Sequence, residues 1–129
     1  MGFKSLLIPI MFFPFLGFTL RVEVFIKQNG EIFRVIENNG SILKEKINFI
    51  WKEFPLFTHF KVKKTKGEVA IAWRGNFEDC LLVTNKGDFI KLTQNTLKIK
   101  SDKELKYIQI FPLGSDGKPG LPARVQLEG

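Results

Sequence analysis

The chain has 129 residues, enough for one domain of ordinary size that can bury a core without a metal or disulfide staple. Its composition, 44% hydrophobic and 26% charged, is that of a folded chain, and its net charge is +7. A single cysteine excludes an intrachain disulfide, and a single histidine excludes His-pair metal chemistry.

Most of the 20 basic residues are Lys, which suits a dispersed, solvating surface; bidentate recognition of phosphate or carboxylate favours Arg. Aromatic content is dominated by 14 Phe, against two Trp and one Tyr. A basic balance is compatible with nucleic acid or an anionic membrane and demonstrates neither.

From Ser5 to Leu20 there is no charge; Lys4 precedes this stretch and Arg21 closes it. Leu6, Leu7, Ile8, Ile10, Phe12, Phe13, Phe15 and Leu16 supply its apolar side chains. A basic start and an apolar core describe a secretory leader, although Gly17 and Thr19 are the only small residues near a cleavage position. The run is short for a spanning helix, and Pro9 and Pro14 interrupt it. A buried N-terminal segment is the third alternative. We expect residues 1–20 to act as a signal or membrane anchor, helix or leader, and residues 21–129 to form a single β-domain. The expected localisation is the inner membrane or periplasm, or otherwise exported.

Beyond the head, Leu20 to Lys27 alternates with Leu20, Val22, Val24 and Ile26 on one face, the pattern of a half-buried strand. Asn29-Gly30 and Asn39-Gly40 are hairpin signals, because a type I′ turn needs positive φ at both central residues. Glu31 to Ile36 lies between them. Ser41 to Phe54 fits both a helical stripe and strand alternation, and we favour strand; Pro55 ends it in either case.

Phe57 to Lys64 predicts a strand with Thr58, Phe60 and Val62 on one face, turned by Thr65-Lys66-Gly67. Further strands are expected over Glu68 to Trp73, Cys80 to Thr84, Asp88 to Thr93, Thr96 to Lys100, Leu105 to Phe111 and Ala123 to Leu127. In the Leu105–Phe111 segment the inward residues are either Ile108 and Ile110 or Tyr107 and Phe111. Turns at roughly ten-residue intervals are the cadence of a meander, sandwich or barrel. The expected fold is mainly β, an antiparallel sheet or small sandwich.

No catalytic constellation emerges. His59 has no carboxylate near it in sequence and is expected to be structural or exposed. Cys80 follows Glu78-Asp79, whose charge would raise a thiol pKa, so a packed Cys is expected. Glu78 and Asp79, being adjacent, would point to opposite sides of a strand and suit a surface turn. Asp116-Gly117 lacks the further carboxylates of a calcium loop. Asn39-Gly40-Ser41 is formally a glycosylation sequon. The expectation is no enzyme, no cofactor and no metal. The one basic-aromatic cluster is Lys61, Lys63, Lys64 and Lys66 beside Phe57, Phe60 and Trp73, an alternative edge for single-stranded nucleic acid.

Gly17-Phe18-Thr19-Leu20 resembles the Gly-Phe-Thr-Leu of prepilin processing sites, with Gly2-Phe3 a second candidate start. Tyr107 to Gly114 followed by Ala123 to Leu127 is similar to the closing hairpin of the minor pseudopilins related to the H-type subunit of type II secretion. Arg21 to Ile36 is similar to their first hairpin. In this chain the apolar run lies before Gly17, and Val22 stands where the family has Glu. The resemblance implies a non-enzymatic assembly or binding subunit of a secretion, pilus or DNA-uptake apparatus. Its partners would be other pilin-like or secretion subunits, with residues 5–20 at the membrane.

Overall fold

The structure is a computed structural model that describes residues 19–48, 55–100 and 102–128. The anchor residues Leu6 to Leu16 and the processing candidates Gly2, Phe3, Gly17 and Phe18 lie outside the described residues, as do residues 49–54 of the segment that fitted both helix and strand.

Among the described residues ten strands make up one curled sheet: β1 (Thr19–Gln28), β2 (Glu31–Asn38), β3 (Ser41–Ile47), β4 (Phe57–Thr65), β5 (Glu68–Gly75), β6 (Cys80–Thr84), β7 (Phe89–Leu92), β8 (Thr96–Lys100), β9 (Tyr107–Pro112) and β10 (Ala123–Glu128). The strand order is β7-β6-β9-β10-β1-β4-β5-β8, with β2 and β3 branching from β1. Ser41–Ile47 is strand.

β1 is the hub. Along one edge it pairs with β2 from Arg21 to Gln28. Its other edge is divided between β10, which takes Thr19 to Glu23, and β4, which takes Ile26 opposite Phe57. The β1–β4 pairing is parallel, in a sheet whose other strand pairings are antiparallel. Two hairpins leave β3 running in the direction of β1, and β4 runs in that direction too.

The Asn-Gly turns form as their chemistry requires. Asn29 and Asn39 have φ of 53° and 48°, and Gly30 and Gly40 follow at 78° and 98°. Tight turns let the hydrophobic alternation set the register, so Leu20, Val22 and Val24 face the same core as Val35, Ile108, Ile110 and Val125.

The predicted alternation fails at one place. Between Phe57 and His59 the β4–β5 register shifts, leaving Thr58 as an extra residue. The bulge puts Phe57 on the same side as Phe60 and Val62, in place of Thr58, and Phe57 is fully buried. Its ring meets Phe60 and Phe77 edge-on at 5.2 Å each. Ile108 and Ile110 are the inward pair of β9, and Cys80 is packed in the core.

Candidate functional site

The outer face of β4-β5-β8 is built from alternation on three registered strands. Because Phe60, Val62, Val69, Ile71 and Trp73 point inward, the intervening residues must point outward. Lys61 therefore lies opposite Ala72, and Lys63 opposite Ala70. On the other flank Ala72 is registered with Thr96, and Ala70 with Lys98. Two methyl groups on the central strand thus form a floor between walls carrying lysines. The result is an open trough of about 500 Å³, with Gln94 at one end. Arg74 and Lys100 extend the positive charge beyond it, and Glu68 is the only carboxylate on these three strands.

The lysine cluster seen in sequence is divided by this geometry. Lys61 and Lys63 share the trough, Lys66 sits in the β4–β5 turn, and Lys64 lies on the side of Val62. Partial burial lowers the pKa of Lys64. Phe57 is 0% and Trp73 3% exposed, so neither can stack on a base. Phe60 and Trp73 stack on each other within the core, with ring centroids 6.5 Å apart. Sequence reasoning did not find Ala70, Ala72, Thr96 or Lys98, although the alternation that turns them outward was visible.

A second set of features lies at the free edges. Among the described residues β7 and β8 end the path of the sheet and β3 ends its branch, so each has one edge with no partner strand among them. Lys98 and Lys100 guard β8. β7 carries Phe89 at 71% exposure and Ile90 at 47%, next to the exposed Lys91. On the outer face Phe89 continues onto half-buried Val83, and neighbouring Leu81 onto Phe111. β3 exposes Leu43 at 56% and Ile42 at 39%. Its charges are already engaged: Lys46 pairs with Glu31 at 2.6 Å, Glu45 with Arg34 at 2.9 Å, and Lys44 lies 4.3 Å from the centre of the Phe33 ring. Arg34 also bonds Glu23, and the two carboxylates, Glu45 first, hold the guanidinium above its ordinary pKa.

The ionisable groups show little that resembles a catalyst. His59 is exposed and its Nδ1 lies 3.1 Å from Thr58 Oγ1. The Cys80 thiol is pushed up to about 11 by burial, with Asp79 adding to the effect, so it is protonated and unreactive at neutral pH. Asp79 lies 3.5 Å from Lys91, while Glu78 is exposed. Asp116 Oδ1 accepts the Lys118 amide at 3.0 Å and closes its own loop. Among the described residues no group of three His, Cys, Asp or Glu could hold a metal ion. No helix among them is long and apolar enough to cross a membrane.

Glu37 was not singled out in the sequence. It faces the core side of β2 opposite Val22, is buried, and makes no hydrogen bond or ion pair among the described residues. Burial raises its pKa. The other buried polar residue, Thr84, is by contrast fully engaged. It donates to Asp88 at 2.8 Å and accepts the Lys86 and Asp88 amides.

Compared with family models, with curated proteins and with solved structures, the chain matches none of them.

Proposed function

We propose that this chain is a non-enzymatic assembly subunit, pseudopilin-like in role, held at a membrane by the apolar stretch that precedes β1 and joined to neighbouring protein subunits through its β-domain. The observation that carries the proposal is a pair of apolar edges. Phe89 and Ile90 on β7, and Ile42 and Leu43 on β3, are exposed on strands that have no second partner strand among the described residues. Natural sheets protect such edges with charge, prolines or cover, as β8 is protected here by lysines. An edge left apolar suits strand addition, in which a partner's backbone continues the ladder and its side chains cover the exposed ones.

The start of the domain supports a position close to the membrane. Leu20, at the end of the uncharged stretch, is already a core residue of β1 at 5% exposure, paired with Leu127. No polar linker separates the apolar head from the first strand. An anchor ending just before β1 would hold the β-domain against the bilayer, in an exported or inner-membrane, periplasm-facing setting.

Fractionation of cells producing the full chain tests the anchoring directly. We expect recovery with membranes, resisting high salt and released by detergent; recovery in the soluble cytoplasmic fraction would sink the proposal.

A further inference from the structure

We infer that the trough on β4-β5-β8 is a binding site for the phosphodiester backbone of single-stranded nucleic acid, read without regard to base. It is separate from the apolar edges of β3 and β7 and does not depend on the assembly role.

Charge complementarity fixes the sign of the occupant. Lys61 and Lys63 stand on one wall and Lys98 on the other, all exposed, and none makes an ion pair among the described residues. Lys61 and Lys63 are two residues apart on a strand, a separation of about 6.6 Å. That spacing suits successive charges of an extended polyanion. Lys presents a compact, mobile ammonium, adequate for phosphate as a point charge.

The floor selects among polyanions. Ala70 and Ala72 offer only methyl groups, and the β5 backbone beneath them is paired with β4 on one side and β8 on the other. An acidic peptide lying in the trough would press its own amides against this methyl floor, with only the Gln94 and Thr96 side chains of the lining to accept them, at a cost in unsatisfied donors. A phosphodiester backbone carries no such donors. A flat bilayer surface does not fit a concave recess. With Phe57, Phe60 and Trp73 buried, the bases have no platform to stack on and would face solvent, so binding is electrostatic and indifferent to sequence.

The test is fluorescence anisotropy with labelled oligothymidylate and oligodeoxyadenylate, using the full chain in non-ionic detergent over a series of salt concentrations. We expect saturable, salt-sensitive binding of both oligonucleotides with similar affinity. The variant K61Q/K63Q/K98Q should reduce the magnitude of the log K against log salt slope by about 2, as expected for three phosphate contacts to a single strand. The control K27Q/K103Q/K118Q removes the same charge elsewhere and should change the slope little. Ala72→Ile fills the floor without altering charge and should weaken binding several-fold. Absence of saturable binding, equal losses in the two triple variants, or unchanged affinity in Ala72→Ile would overturn the inference. Competition by polyglutamate or by anionic vesicles as effective as that by unlabelled oligonucleotide would assign the trough to those ligands instead.

Discussion

Asn39 and Leu20 are joined by two hydrogen bonds: the Leu20 amide donates to Asn39 Oδ1 at 3.3 Å, and the Asn39 amide donates to the Leu20 carbonyl at 3.2 Å. The second hairpin turn is thereby fastened to the first residues of β1. Asn39 also sits at φ 48°, where an ordinary L-residue is strained.

Asn39→Ala should therefore lose about 1–2 kcal/mol of stability, from left-handed strain together with the lost side-chain bond. Asn39→Gly keeps the conformation available and should cost less. Urea denaturation of the two variants checks this. Equal, negligible losses would show that the turn does not secure the start of β1.

Glu37 gives the domain an unusual pH dependence. Its carboxyl is raised by burial in the folded state, so the native protein holds the proton more tightly than the unfolded chain does. The stabilising contribution is complete below the ordinary carboxyl range near 4.5 and is lost as pH rises through the higher folded value. Glu37→Leu removes this dependence and should stabilise the domain by about 1 kcal/mol at neutral pH, since no partner among the described residues compensates the buried charge. The advantage of the variant over the natural chain should shrink as pH falls toward 4.5. Denaturation midpoints across that interval report it, and an advantage constant with pH would contradict the assignment.

Cys80 should be inert in the native protein. Its side chain is 0% exposed and its thiol is pushed up to about 11. An aromatic disulfide reagent at pH 8 is expected to label the chain only after guanidinium is added. Prompt labelling without denaturant would mean that β6 and the residues around it open readily.

Much of the fold was legible because the signals were local. Asn-Gly turns announced themselves, and alternation placed Leu20, Val22 and Val24 inward with no knowledge of their partners. The parallel β1–β4 contact was not legible, since it depends on how one edge of β1 is shared between β10 and β4. Nor was the bulge at Thr58, which local alternation contradicts. The trough escaped notice for a similar reason. Lys98 meets Ala70 only because β8 returns past β6 and β7 to pair with β5, a long-range pairing that no short stretch encodes. Sequence also grouped Phe57 and Trp73 with nearby lysines, where the sheet sends Lys61 and Lys63 to the face opposite those aromatic side chains.

Site-specific photo-crosslinking tests the assembly role most directly. A photoreactive residue is introduced at Phe89, at Leu43 or at Lys118 of the full chain, and membranes of producing cells are irradiated. Lys118 lies in an exposed loop away from both apolar edges and serves as the control. The expected result is discrete protein adducts from positions 89 and 43, diminished when Ile90→Lys is added to the Phe89 probe, with little from 118. Adducts no more frequent at 89 and 43 than at 118 would contradict the proposal that these edges receive neighbouring subunits.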